Sequence, residues 1–223
     1  MAKCWLHGQV DEIVADPRVA AVTLTGSEGA GASVASAAGR ALKKTVLELG
    51  GSDPLVVLGD ADIEKVAPLA VRARFVNTGQ SCLCAKRFPV EGTVVDEFEQ
   101  RVGDLVGALR IGDPLDPATQ IGPLAKPSFV DDIDRQVRES VAMGARVIVG
   151  GYRIEGPGNY YAPTVLADVT PEMPVFREET FGPVWLMTLA MVWLRACGRQ
   201  TWSVGCNWAA ASTRVHSSST RSS

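Results

Sequence analysis

Short apolar runs alternate with amphipathic or small-residue segments over residues 14–184, a pattern typical of strands alternating with helices. Strands are predicted over residues 19–25, 45–49, 54–58, 87–90 and 145–149. Helices are predicted over residues 28–44, 63–75, 95–109 and 128–142. Asp62 is expected to cap the second of these helices, and Pro68 to kink it. The alternation predicts an α/β fold with a largely parallel sheet.

Composition narrows the class of protein only slightly. Hydrophobic residues make up 46% of the 223 residues, enough to bury a core. The net charge of −3 is too small to suggest nucleic acid or an acidic membrane surface as partner. No apolar run is long enough to cross a bilayer, and the first ten residues lack the apolar core of a signal peptide. A cytosolic or organelle-matrix setting is therefore expected, and the cytoplasm is the location predicted.

The cysteines and histidines do not suggest a disulfide framework or a metal site. The five cysteines are odd in number and irregularly spaced, which argues against a disulfide scaffold. No CxxC pair occurs, and the two histidines, His7 and His216, lie near the two ends of the chain. A zinc site built from cysteine and histidine is not expected.

Residues 77–87, NTGQSCLCAKR, are the first candidate for chemistry. Small and polar residues surround Cys82 between a predicted helix and a predicted strand, which is a plausible setting for an exposed, reactive thiol. The alternative is a buried cysteine that only packs.

Residues 47–51, LELGG, are the second candidate. Glu48 alternates with leucines at the end of an apolar strand, just before two glycines. It is either a solvent-facing residue of an edge strand or a partly buried carboxylate able to act as a base near neutral pH.

These two segments together resemble the aldehyde dehydrogenase family. LELGG precedes GQSCLCAKR with 82 − 48 = 34 residues between Glu48 and Cys82, which matches that family's spacing of base and nucleophile. The likeness continues, in the family's order, at residues 112–117, 121–124, 161–165 and 178–184. Within this family, the amino-acid sequence of the two segments most resembles that of the succinate-semialdehyde dehydrogenase branch. The resemblance implies a Rossmann-like parallel-sheet catalytic domain with a truncated cofactor-binding domain.

The resemblance also implies a role for each of the two candidates. Cys82 would attack an aldehyde as thiolate, and Glu48 would activate the water that hydrolyses the resulting thioester. The backbone N–H of Cys82 would supply one oxyanion donor.

The same resemblance implies binding residues for an NAD or NADP cofactor. Gly26 and Ser27 would lie beside the pyrophosphate, at a turn where amide groups favour anions. Glu179 would bind the ribose of the nicotinamide, and Phe181 would pack against that end. The glycines of residues 26–31 do not form the G-x-G-x-x-G fingerprint and are by themselves a weak signal.

The chain departs from the family at its beginning. Most of the cofactor-binding domain has no counterpart, including the asparagine that completes the oxyanion hole and the lysine that contacts the adenosine ribose. Loss of one oxyanion donor commonly costs about two to three orders of magnitude in rate. We therefore expect little or no dehydrogenase activity from this chain alone. The choice between NAD and NADP is left open, because the residues that read the 2′ position fall in the missing part.

The chain departs from the family again after Val184. Residues 185–223 contain no Asp or Glu and are rich in Ser, Thr and Arg near the end. In a shifted reading frame some residues are forced; for example, Met187 followed by Thr188 must become Asp. With suitable codons at the other positions, residues 184–202 can then give a sequence that resembles the family in this region. We therefore hypothesise a frame-changing deletion or mis-splice, with a genuine divergent tail as the alternative. The predicted divisions are a cofactor-domain remnant (1–48), a catalytic domain (49–184) and a frameshifted tail (185–223).

Three further possibilities stay open. Cys84 is either a packing residue or, as in some members of the branch, the disulfide partner of Cys82. A cysteine hydrolase or acyltransferase would need only Cys82 and a base. A non-catalytic protein that docks onto a full-length relative is the third possibility. The expected partner is a small aldehyde, and the family is homo-oligomeric although this fragment need not assemble.

Overall fold

The computed structural model of this chain describes residues 9–191. The strands are β1 (Ala21–Gly26), β2 (Lys44–Leu49), β3 (Asp53–Pro54), β4 (Ala85–Val90), β5 (Arg146–Val149), β6 (Thr164–Ala167) and β7 (Val184–Leu189). The helices are α1 (Val10–Ala15), α2 (Glu28–Arg40), α3 (Ile63–Phe75), α4 (Val95–Gly107), α5 (Pro127–Ala142) and α6 (Pro174–Arg177). The predicted elements are all present except most of the strand over 54–58. There the structure has only the two-residue β3 and an isolated bridge from Val57 to Val90.

A side-chain cap begins α3, and a left-handed residue ends α2. The Asp62 carboxylate accepts a hydrogen bond from the Lys65 amide at 3.3 Å and begins α3, as predicted. Pro68 lies inside α3, which continues through it to Phe75. The predicted helix over 28–44 instead ends at Arg40, because Leu42 adopts a left-handed conformation (φ 55°) that stops it.

Residues 9–191 are organised around two separate sheets. Strands β1 and β2 form a two-stranded parallel sheet with α1 and α2, around a small core of Val14, Ala37 and Ala38. The other five strands form one sheet in the order β3-β4-β7-β6-β5. All its neighbouring pairs are parallel except β5 with β6, which confirms the predicted largely parallel sheet.

The five-stranded sheet is covered by helices on both faces. Because side chains alternate along a strand, Trp185 and Met187 of β7 face α3 and α4, whereas Val184 and Leu186 face α5 and α6. The Trp185 ring stacks on Phe88 with centroids 3.6 Å apart and is fully buried. Strands buried on both faces read as continuous apolar runs, as β7 does.

Strand β7 crosses the predicted boundary at residue 184. It pairs with both β4 and β6 at the centre of the sheet. The predicted divisions at residues 48 and 184 stay predictions. Residues 192–223 lie outside the described residues. The frameshift hypothesis for the tail therefore stays a prediction.

Two polar atoms of β7 are buried without a hydrogen-bond partner in residues 9–191: the indole nitrogen of Trp185 and the hydroxyl of Thr188. An unsatisfied buried group costs about 1–3 kcal/mol. Thr188→Val removes such a group at almost constant volume, so we expect the free energy of unfolding to rise by about 1 kcal/mol in a urea titration.

Thr164→Val is the matched control for that change. Thr164 is equally buried, but its hydroxyl accepts from the Gly151 amide at 2.8 Å and donates to the Ala162 carbonyl at 2.7 Å. Its replacement should destabilise the protein by about 1–3 kcal/mol, because it leaves those groups unpaired. Equal destabilisation by the two substitutions would contradict the assignment of Thr188 as unsatisfied.

Candidate active site

A β-turn presents Cys82. The Cys84 amide donates to the Ser81 carbonyl at 3.3 Å, and the Leu83 amide donates to the Ser81 hydroxyl at 3.2 Å. Cys82 occupies the second position of this turn, and the residue is exposed. Its own backbone N–H has no acceptor in the part of the chain that the structure describes. The turn therefore offers a thiol and a free amide donor side by side.

The backbone just before this turn is left-handed at three consecutive residues. Asn77, Thr78 and Gly79 have φ values of 51°, 56° and 72°. This conformation is uncommon for non-glycine residues and a clear outlier for a β-branched threonine. A Cβ on Gly79 would also collide with the Gly182 carbonyl, so glycine is required there.

Arg74 fastens this turn to the loop between α6 and β7. Its guanidinium is fully buried and donates to the carbonyls of Val184 (2.6 Å), Thr180 (3.1 Å), Gly79 (3.5 Å) and Gly182. Burial lowers the pKa of Arg74 to about 10, so the group still carries its charge at neutral pH.

Arg74 was not predicted as a site residue from the sequence. The available signal was its position on the apolar face of α3, three and four residues after Val71 and Ala70.

Glu48 lies at the carboxyl edge of the two-stranded sheet. Its partner in the register is Thr25, and the next pair is Gly26 with Leu49. Glu48 and the Gly26-Ser27 turn are therefore brought to one edge, where α/β folds bind their ligands. Glu48 is exposed, which favours the solvent-facing alternative over a partly buried carboxylate.

Ser27 begins α2 as its N-cap. The Ser27 hydroxyl accepts a hydrogen bond from the Ala30 amide at 3.3 Å, while Glu28 occupies the first turn. The first-turn amides that favour anions are present, but the acidic side chain of Glu28 opposes an anion nearby.

Glu179 lies against the glycines that follow Glu48. Its Oε1 accepts from the Gly51 amide at 3.3 Å and from the Lys86 ammonium at 2.6 Å. A side chain on Gly50 would collide with the Glu179 carboxylate. Lys86 is fully buried and also donates to the Gly51 carbonyl. The buried ammonium group of Lys86 therefore joins three segments: the strand after Cys82, the loop after Glu48 and the loop of Glu179.

A cavity of about 270 Å³ opens beside Glu179. Phe181 lines it and packs edge-on against Phe129, with centroids 5.6 Å apart. Glu178 lines it too, and the hydrogen bond from Arg135 holds the pKa of this carboxyl below its usual range. Glu179 and Phe181 are thus brought to the same cavity.

No helix within residues 9–191 is long and apolar enough to span a membrane. In the same range, no group of three His, Cys, Asp or Glu side chains could hold a metal ion.

Comparison with known proteins identifies the family. The sequence profile described as "Aldehyde dehydrogenase family" matches residues 7–191. The chain belongs to the aldehyde dehydrogenase family.

Among aldehyde dehydrogenases, this chain is similar to succinate-semialdehyde dehydrogenases. It is 50% identical to "Succinate semialdehyde dehydrogenase [NAD(P)+] Sad" of Escherichia coli (strain K12), over 83% of this chain and 41% of that protein. It is 54% identical to the "Probable succinate-semialdehyde dehydrogenase [NADP(+)]" of Synechocystis sp. (strain ATCC 27184 / PCC 6803 / Kazusa), over 78% of this chain and 38% of that protein. The chain thus spans about two fifths of the length of these relatives.

A solved aldehyde dehydrogenase shows the same fold. The crystal structure of succinic semialdehyde dehydrogenase from Streptococcus pyogenes, in complex with NADP+, superposes with a TM-score of 0.80 at 38% identity. The match covers 83% of this chain and 41% of that one. The expected aldehyde dehydrogenase-like α/β fold is confirmed.

Cys84 differs sharply from Cys82 in its surroundings. It is fully buried, its Sγ lies 3.6 Å from the Val76 carbonyl, and both thiols are free. Its burial favours the packing role in this aldehyde dehydrogenase chain, while pairing with Cys82 under oxidation stays a prediction.

Proposed function

We propose that the protein to which this chain corresponds oxidises an aldehyde to a carboxylic acid with NAD or NADP, and that succinate semialdehyde is the substrate. The observation that carries the proposal is the β-turn of Cys82, whose exposed thiol lies next to an unpartnered amide. The similarity to enzymes named for succinate semialdehyde supports the choice of substrate.

Cys82 performs the first covalent step of this proposed reaction. Its thiolate forms a bond to the aldehyde carbon, and the carbonyl electron pair moves to oxygen. The Cys82 N–H would donate a hydrogen bond to that oxyanion. The nicotinamide cofactor, when bound, supplies the hydride acceptor that converts the adduct to a thioester.

Glu48 performs the hydrolytic step. Its carboxylate removes a proton from water, and the water oxygen attacks the thioester carbon and releases the Cys82 thiolate. An exposed carboxylate at the sheet edge has access to water for this task.

Glu179 and Phe181 would hold the nicotinamide end of the cofactor. Lys86 and the Gly51 amide occupy Oε1 of Glu179, whereas Oε2 makes no hydrogen bond within the described residues and can accept from ribose hydroxyls. Gly26 and Ser27 would lie near the pyrophosphate. These residues fit one end of the cofactor only, which is why we predict little or no NAD(P)H formation by the isolated chain.

Acylation by an activated ester tests the proposal without the cofactor. We expect p-nitrophenyl acetate to acetylate Cys82, and Glu48→Gln to slow loss of the acetyl group by roughly a hundredfold, with the acetylation rate little changed. Mass spectrometry of the acetylated chain over time measures both rates. Glu97→Gln, an exposed acid in the first turn of α4, is the control. Equal deacetylation by Glu48→Gln and the unaltered chain would contradict the role of Glu48.

A second function is favoured by the exposure of the two-stranded sheet. Neither β1 nor β2 contains a buried residue, and Val46 is 60% exposed. A parallel sheet is normally covered on both faces, so the surface of β1 and β2 that α1 and α2 leave open suits docking onto a full-length relative. Size-exclusion chromatography of the chain, alone and with such a relative, tests it, and a clean monomer in both runs counts against docking. Homo-oligomeric assembly and a cytoplasmic location also stay predictions.

A further inference from the structure

The left-handed turn before Cys82 is costly by itself. A non-glycine residue in this conformation costs on the order of 1–3 kcal/mol and persists only where surrounding contacts impose it. Asn77 and Thr78 are both in this conformation. The contacts that impose this conformation therefore fix the path of the backbone that leads to Cys82.

One segment supplies most of these contacts. We call residues 122–125 the buttress segment. The Gly122 amide donates to the Thr78 hydroxyl at 3.1 Å, and the Ala125 amide donates to the Gln80 side-chain oxygen at 2.9 Å. The Gln80 side-chain nitrogen donates to the Pro123 carbonyl at 3.5 Å. The side chains of Thr78 and Gln80 are thereby both hydrogen-bonded to the backbone of the buttress segment.

The buttress segment is itself fixed in the core. Leu124 is buried in the cluster formed with α5 and β6. Its amide donates to the Asn159 carbonyl at 2.8 Å, and its carbonyl accepts from the Asn159 side chain at 3.3 Å. The segment can therefore act as a rigid support for the turn.

We infer that Thr78 and Gln80 are positioning residues for Cys82. They transfer the fixed position of the buttress segment to the turn, and so aim the Cys82 amide and thiol at one carbonyl group. Gln80 directly precedes Ser81, whose carbonyl closes the β-turn of Cys82. The inference rests on the proposed function, because it assigns these residues to the acylation of Cys82.

Two reactions of the same thiol separate positioning from simple stabilisation. In acetylation by p-nitrophenyl acetate, the Cys82 thiolate bonds to the ester carbon and the oxygen becomes an oxyanion. The oxyanion then collapses and expels p-nitrophenolate with its electron pair. Alkylation by iodoacetamide instead displaces iodide at a saturated carbon and forms no oxyanion. Only acetylation needs the amide of Cys82 to point at the reacting oxygen.

The variants are Gln80→Met, Thr78→Val and Thr78→Ser. We expect Gln80→Met and Thr78→Val to lower the acetylation rate of Cys82 by roughly ten- to hundredfold. Their alkylation rates should stay within about twofold of the unaltered chain, because thiol access is unchanged. Thr78→Ser keeps the hydroxyl and should acetylate at nearly the original rate.

Gln120→Met is the matched control for Gln80→Met. Its side-chain oxygen accepts from the Arg110 amide at 3.0 Å, close to the buttress segment in sequence. Within residues 9–191 this side chain makes no hydrogen bond to Thr78 or Gln80. Alkylation of the buried Cys84, located by mass spectrometry in each sample, reports any unfolding.

The outcomes distinguish this inference from the function on which it rests. A parallel fall of acetylation and alkylation, no fall in either, or loss of acetylation in Thr78→Ser would overturn the positioning role alone. Failure of the unaltered chain to acetylate at Cys82 would overturn the proposed nucleophile and the inference with it.

Discussion

Cys82→Ser should lower acetylation by p-nitrophenyl acetate at least about a thousandfold, whereas Cys84→Ser should leave it nearly unchanged. The reason is geometric. Cys82 is exposed in the second position of a β-turn, whereas Cys84 is fully buried against the Val76 carbonyl. The release of p-nitrophenolate, combined with mass spectrometry to locate the acetyl group, measures the effect.

Cys84→Ser is a demanding control, because it changes the same atom type two residues away. An acetyl group found on Cys84, or an undiminished rate in Cys82→Ser, would remove Cys82 from the role of nucleophile. Loss of acetylation in Cys84→Ser, accompanied by a lower unfolding midpoint, would indicate that Cys84 supports the turn by packing.

Arg74→Met should lower the free energy of unfolding by about 3–5 kcal/mol. The substitution leaves the carbonyls of Thr180, Gly182 and Val184 without the donor that they now share. Urea unfolding followed by tryptophan fluorescence measures it, since the fully buried Trp185 reports on the core.

Arg72→Met is the control for Arg74→Met. It removes the same side chain two residues earlier on α3, where the residue is exposed, and should change stability by less than about 0.5 kcal/mol. Equal effects of the two substitutions would show that the buried hydrogen bonds of Arg74 contribute little.

The local signals in the sequence predicted much of the fold. Residue types with one dominant local preference, such as Asp62 before an amphipathic segment, gave the correct helix start. The strand β7 was not predicted, because it is apolar on both faces and lacks an alternating pattern. The end of α2 was placed too late, because a leucine at position 42 gives no sign of a left-handed stop.

The sequence likewise indicated some residues of the candidate site and not others. Cys82 and Glu48 were predicted from their motifs and stay predictions, and their mutual geometry depends on contacts far apart in sequence. Lys86 holds Glu179, 93 residues away, and was missed because a lysine usually indicates a solvated position. Lys86 and the buried Phe88 are two residues apart on β4, so their side chains lie on the same face of the strand. This spacing was the signal that could have indicated a buried Lys86.

The strand order has a consequence for how the chain folds during synthesis. Strands β3 and β4 can pair early, and β5 can pair with β6 soon after, but within residues 9–191 only β7 pairs with a strand of each half. It is the last of the five to leave the ribosome, so until then the apolar faces of both halves lack their central neighbour. A change in the gene near the codon for Val184 therefore alters β7, the strand that completes the sheet. A nascent chain halted before residue 184 should lack the central strand of the sheet and be a client for chaperones.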